Sequence, residues 1–238
     1  GWYGAVAGIF FASLLFFLIS TYNFKFMGIK FIAPLSKIKM IFLLGSPLIL
    51  SHITGWIIEA LDKLMISSII DINSTGIYSV SYKFALIVFL VQVGIIRAWA
   101  PYFYKSISLD TYTNKVQIVK YTYLLVFFIF LFTVSIVLIS PFLFDLLIDE
   151  SYVFSYNVVL YVSLGYFFDG VWKIFNAYLI NLNLTNYYSG ILIAVAILNI
   201  ILNYILINKY GIEGAAISTC ISFIAGSLFT FIIAQYVS

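Results

Sequence analysis

Between Leu124 and Ile139 the chain carries no charged residue and no alternation of polar and apolar positions. The run lies within an apolar segment at 119–144, and similar segments occupy 2–22, 43–70, 76–104, 153–180, 187–207 and 213–236. Stretches of about twenty apolar residues, rising 1.5 Å per residue as helices, match a hydrocarbon core about 30 Å thick. A buried strand would end after roughly 4–8 residues, and a transmembrane barrel would alternate over segments of about 10. Composition agrees: 64% of residues are hydrophobic and 9% charged, against roughly 45–50% and 25% in a soluble domain. The expected fold is all-α, a polytopic membrane helix bundle of about seven transmembrane helices. Short turns at 71–75, 145–152, 181–186 and 208–213 make sequential helices antiparallel neighbours and leave no extramembranous domain for a soluble active site.

The net charge of +3 comes from lysines gathered in a few loops, so it reports orientation and gives no support to nucleic-acid binding. Lys25, Lys30, Lys37 and Lys39, with Lys105, Lys115 and Lys120, fall on one side of the membrane, and Lys209 falls opposite. The basic side is expected to be cytoplasmic, and with it the C-terminus. One cysteine, Cys220, and one histidine, His52, allow no disulfide within the chain and no zinc-type cluster, so no metal or cofactor is expected. Gly1 is not a Met and no basic region precedes the first span, so that span is not read as a signal peptide. It reads as part of a longer protein, set apart from the following six spans by the polar, basic linker Asn23 to Lys39.

Ionisable residues inside the spans carry the functional information. Each costs at least about 2.5–3.5 kcal/mol at a helix centre unless it is paired or faces a wet cavity. The second span holds Glu59, Asp62 and Lys63, the third Lys83 and Arg97, and the fifth Asp169 and Lys173. His52, Gly55, Glu59 and Asp62 share one helical face, as do Val162, Gly165, Asp169, Lys173 and Asn176. Lys83 and Arg97, 14 residues apart, differ by about 40° around the helix and form a cationic stripe about 21 Å long. Counted from the turn near Asn73, Asp62 and Lys83 lie at similar depth, which predicts a contact between them.

Two readings stand side by side. Glu59–Lys63 and Asp169–Lys173 are i,i+4 pairs able to neutralise each other within one helix. Alternatively, the three polar faces line a cavity. Arg97 has no acidic residue within a turn, though a position near a helix end permits snorkelling. Tyr78, Tyr82, Trp99, Tyr102 and Tyr104 read as an interfacial belt, or as rings lining a path for a sugar. Asn199 and Asn203 read as interhelical glue, His52 as a satisfied helix residue, and Pro47 and Pro101 as span-end prolines able to act as hinges.

Four stretches carry a family resemblance: Gly45-Ser46-Pro47 leading to Gly55-Trp56 and Asp62-Lys63, Gly76 to Lys83, Ala98 to Tyr102, and Tyr210 to Ala216. With these the chain resembles the polysaccharide (O-antigen) flippases of the MOP (MATE-like) transporter superfamily, which also holds lipid II flippases and multidrug exporters. The resemblance implies two six-helix lobes around a central cavity. Residues 1–22 would be the last helix of a truncated N-terminal lobe, 23–40 a cytoplasmic basic linker, and 41–238 a six-helix C-terminal lobe. It also implies that Asp62, Lys63 and Lys83 lie at the cavity; the chain departs from the family at Arg97, where a Gln often stands.

The expected function is therefore flipping of a lipid-linked oligosaccharide by alternating access in the inner (cytoplasmic) membrane, without enzymatic activity. Its partners would be a polyprenyl-diphosphate-linked oligosaccharide, membrane lipids and polysaccharide polymerase components, with no nucleic acid. Lys63, Lys83, Arg97 and Lys173 are the candidate cargo-binding residues, suited to an anionic diphosphate. Glu59, Asp62 and Asp169 are the candidates for ion coupling. A multidrug exporter would favour an acidic, aromatic cavity, against the basic third span. A membrane glycosyltransferase or polymerase would have only Asp145, Asp149 and Glu150 as carboxylates.

Overall fold

The computed structural model describes residues 2–26, 58, 60–109, 111–148, 153–182 and 184–237. Every regular element among them is α-helical. The chain divides into two compact units, Gly1–Gly45 and Ser46–Ser238. In the first, α1 (Trp2–Phe26) is a single helix whose large side chains, Phe16 and Phe17 among them, are exposed.

The second unit is a bundle. A helical stretch at 60–69 leads to α2 (Ile72–Ser108), α3 (Tyr112–Leu147), α4 (Tyr156–Asn181), α5 (Thr185–Tyr210) and α6 (Ile212–Val237). Six helices among the described residues, α1 to α6, are long and apolar enough to cross a membrane. The chain is thus a multi-pass membrane protein, as the apolar segments predict. Of the expected second span at 43–70, only Ile58 and 60–70 are among the described residues.

Local chemistry sets the helix ends. Asp71 caps α2 by accepting a bond from the Ser74 N–H at 2.6 Å, and that bond holds its carboxyl below the usual carboxylate range. Ser155 caps α4, and its own N–H donates to Ser81 Oγ at 2.9 Å, tying the entry of α4 to α2. Gly211 alone separates α5 from α6 with φ of +62°, a backbone conformation that favours glycine.

Helix α4 is the hub, packing most extensively on α6 and also on α2 and α3, while α5 packs chiefly on α6. Lipid is as apolar as leucine, so close packing and interhelical hydrogen bonds hold such a bundle together. Small residues permit the close approaches. A Cβ on Gly165 would lie 3.3 Å from the Cys220 backbone, and one on Gly226 would lie 2.8 Å from the Trp172 ring. A Cβ on Gly214 would fall on the Leu206 carbonyl, so glycine there lets α6 double back against α5. The main core joins Ile66 to Tyr78, Tyr82, Val162, Tyr166, Ile207 and Ala215, which draws the 60–69 stretch against α2, α4, α5 and α6.

Candidate functional site

Asp62 is wholly buried at the meeting of the 60–69 stretch, α2, α5 and α6. Three neutral donors surround its carboxylate. Tyr78 Oη donates to Oδ2 at 2.8 Å, Thr219 Oγ1 to the same oxygen at 2.7 Å, and Asn203 Nδ2 to Oδ1 at 2.7 Å. Asn203 Nδ2 also reaches Asn199 Oδ1 at 3.1 Å, and Asn199 Nδ2 donates to Ser218 Oγ at 3.3 Å. A charge removed from water is tolerable only where such donors replace its hydration, and these residues supply them from three different helices. The Oδ1 of Asn203 is buried with no hydrogen-bond partner among the described residues, leaving one acceptor of the cluster unused there.

A second carboxylate is built on α4. Asp169 is buried, and its Oδ2 accepts from Lys173 Nζ, four residues along the same helix, and from Gln92 Nε2 of α2 at 2.6 Å. Gln92 is itself wholly buried, and its other amide atom, Oε1, lies beside Gly170 without a hydrogen-bond partner among the described residues. The Lys173 ammonium also sits 4.7 Å above the Phe89 ring, with about a third of the side chain still accessible. Val162, Gly165, Asp169 and Asn176 are all buried and Lys173 half-buried, so the face predicted for the fifth span points into the bundle.

Aromatic side chains bridge the two carboxylate clusters. Lys63 lies 4.9 Å above the Tyr82 ring, the Tyr82 and Tyr166 hydroxyls are hydrogen-bonded, and Tyr166 packs on Phe89 with centroids 5.2 Å apart. Half-buried cations, Lys63 and Lys173, thus sit at either end of a row of rings. On α2, Gly76, Lys83, Leu90, Gly94, Arg97 and Tyr104 are all exposed and follow one another at helical spacing. Lys83 and Arg97 therefore occupy one outward stripe, and neither forms an ion pair within the described residues.

The expected contact between Asp62 and Lys83 does not form. Tyr78 is the α2 residue that reaches Asp62, and Lys83, five residues on, is turned about 140° away from it. Similar depth placed the two side chains level, but their azimuths differ. Tyr78 and Tyr82 are also not belt residues: both are buried, and both hydroxyls are bonded inside the bundle. Trp99 is buried too, whereas Tyr104 is exposed. The i,i+4 pair Asp169–Lys173 does form, whereas Glu59, His52 and Pro47 lie outside the described residues. Asp145 is exposed at the end of α3, and Asp149 and Glu150 are also outside the described residues.

Gln92, Thr219, Tyr166 and the role of Tyr78 escape a search for charges, because each is neutral. Thr219 had a faint signal in Ser218, Thr219 and Ser222, polar residues at i, i+1 and i+4 in a mostly apolar span. No group of three or more His, Cys, Asp and Glu side chains able to hold a metal occurs among the described residues.

Comparison with known proteins adds two matches. Residues 2–107 match the family described as "Polysaccharide biosynthesis protein". Over 230 residues, 94% of this chain, the sequence is 26% identical to a Shigella flexneri protein named "Putative O-antigen transporter". The chain covers 54% of that protein, so it spans about half the length of the curated relative it matches. No solved structure matches the chain significantly. Both matches point the same way: this multi-pass helical chain is similar, over part of its length, to polysaccharide biosynthesis proteins and, at 26% identity, to a protein named for O-antigen transport.

Proposed function

We propose that the chain contains the C-terminal lobe of a flippase that moves a polyprenyl-diphosphate-linked oligosaccharide from the cytoplasmic to the outer leaflet by alternating access. The observation that carries this reading is the segregation of charge. Asp62 and Asp169 are buried, whereas Lys83 and Arg97 are exposed on one stripe and Lys63 and Lys173 are held half-buried over aromatic rings. Four cations at or near a surface within the membrane-spanning part suit an anionic diphosphate. Arg97 can offer a fork to two phosphate oxygens and the lysines point charges. The name of the Shigella flexneri relative supports an O-antigen cargo and a transporter in place of an enzyme.

Within this reading residues 1–22 are the last helix of the other lobe, 23–40 a cytoplasmic linker and 41–238 the C-terminal lobe. The protein resides in the inner membrane with its C-terminus in the cytoplasm. Asp62 is the coupling carboxylate we favour. Its surroundings of hydroxyl and amide oxygens, with Asn203 Oδ1 unused, suit exchange of a proton or a sodium ion. Asp169 is the second coupling candidate, with its charge already matched by Lys173.

The test is complementation of cells lacking their own flippase by the complete gene in which this sequence lies, with surface polymer and lipid-linked precursor both followed. Lys83→Ala is expected to lose surface polymer and accumulate precursor at unchanged protein level. Full activity of Lys83→Ala and of Arg97→Ala together would remove the cationic stripe from the mechanism.

A further inference from the structure

An open groove of about 460 Å³ runs between α2 and α3, lined by Ile95, Ala98, Trp99, Tyr102, Tyr121 and Leu124. It is separate from the carboxylate clusters. Its volume falls within the range of small-molecule sites, about 300–1,000 Å³. We propose that it is a binding site for one acidic phospholipid, with an acyl chain lying along the groove and the phosphate at Lys105 and Lys120.

Depth comes first. Helices α2 and α3 have 37 and 36 residues and are therefore roughly 55 Å long, well beyond a hydrocarbon core of about 30 Å. On α3 the uncharged run extends from Tyr121 to Phe144, bounded by Lys120 and Asp145. The hydrocarbon boundary therefore passes near Tyr121, at one end of the groove. Tryptophan and tyrosine favour that level, and it is where the glycerol and phosphate of a phospholipid meet its chains.

Charge comes next. Tyr102 of α2 touches α3 through Gln117 at 3.4 Å and through the Tyr121 ring, with centroids 5.3 Å apart. Lys105 lies one turn beyond Tyr102, and Lys120 lies between Gln117 and Tyr121, so both flank the same end of the groove. Both are exposed, and neither has an ion-pair partner among the described residues. Residues 105–120 carry three lysines against one aspartate, Asp110. Basic pockets between helices at a membrane face take acidic headgroups for this reason.

Trp99 lines the groove, so its ring reports on whatever lies there.

The experiment places the purified chain in phosphatidylcholine vesicles containing a minority of phosphatidylglycerol with brominated chains, and compares tryptophan quenching with that from brominated phosphatidylcholine. The Trp99 contribution is the difference between the wild type and Trp99→Phe. The expected result is stronger quenching of Trp99 by the acidic lipid. Lys105→Ala combined with Lys120→Ala should lower the preference for it by roughly ten- to thirty-fold. Both lysines are exposed and the charge variants keep Trp99, so that comparison does not depend on Trp99→Phe folding. Equal quenching by the two lipids would reduce the groove to ordinary lipid contact, and no quenching of Trp99 would mean that protein covers it. A preference unchanged by the charge variants would overturn the assignment of the headgroup.

Discussion

Asp62→Ala removes the acceptor for three buried donors at once: Tyr78 Oη, Thr219 Oγ1 and Asn203 Nδ2. Interhelical hydrogen bonds in membrane bundles are worth about 0.6 kcal/mol on average and about 1.7 at most, so three of them set a loss of roughly 2–5 kcal/mol. Asp62→Asn is nearly isosteric and keeps one carbonyl oxygen. If that oxygen takes the place of Oδ2, the bonds from Tyr78 and Thr219 survive and only the one from Asn203 is lost. The unused Asn203 Oδ1 can then turn to accept from the new amide, at the expense of the bond to Asn199. The expected loss is about 1–2 kcal/mol, less than half that of the alanine variant. Thermal unfolding of the purified chain in detergent, followed by helical circular dichroism, measures both. Alanine and asparagine variants of equal stability would refute the reasoning, because the ordering rests on retained acceptors. An alanine variant within about 0.5 kcal/mol of wild type would mean that water or rearrangement satisfies all three donors.

Gly214→Ala places a methyl group on the Leu206 carbonyl, backbone against backbone, and is expected to cost about 3 kcal/mol or more by forcing α5 and α6 apart. Loss of the folded band on detergent gel filtration would show it. Gly170→Ala pushes on the Gln92 amide, so it should mimic Gln92→Ala by loosening the hold on Asp169. If the two substitutions destabilise additively in a double variant, they do not act through one contact. The Asp71 carboxyl has a lowered folded pKa, so its cap is fully present above the ordinary carboxylate value and is lost as pH falls through the lower folded value. Amide exchange at Ser74, corrected for its intrinsic pH dependence, should lose protection in that window, and Asp71→Asn should flatten the profile. A fluorescent protein fused after Ser238 should be active and a phosphatase inactive, as a cytoplasmic C-terminus requires; the reverse pattern would invert the orientation.

The helices themselves were legible because a bilayer leaves few alternatives. The expected spans 76–104 and 119–144 fall inside α2 and α3, and the helices run further only at ends where polar residues continue the turn beyond the hydrocarbon. Azimuth within one helix was legible as well, since Lys83 and Arg97 share a face and Asp169 and Lys173 pair as their spacing requires. Partners between helices were not. Asp62 meets residues 16, 141 and 157 positions away, and periodicity along one segment carries no information about rotation of the next. Reading Tyr78 and Tyr82 as belt residues failed for the same reason: a tyrosine near a span end can face the lipid boundary or the bundle, and only the packing of α4, α5 and α6 decides.

The arrangement of sign has a mechanical consequence. A carboxylate held by three neutral donors, as Asp62 is, keeps those donors aimed only while it can accept from them. Protonation or a bound cation would change which of Tyr78, Thr219 and Asn203 donates and which must find another partner. Those three residues stand on α2, α5 and α6, and α2 also carries Lys83 and Arg97 on its exposed stripe. A change at Asp62 therefore reaches the helix that bears the exposed cations directly through Tyr78, as it reaches the other two through Asn203 and Thr219. If Asp62 is the coupling carboxylate of the proposed flippase, Tyr78→Phe, which removes one hydroxyl and little volume, weakens the dependence of transport on the driving ion more than it weakens cargo binding. It is measured as transport against ion gradient in vesicles beside binding of a diphosphate-headed lipid. Equal loss of both would place Tyr78 among structural residues and leave the carboxylate and the cationic stripe uncoupled.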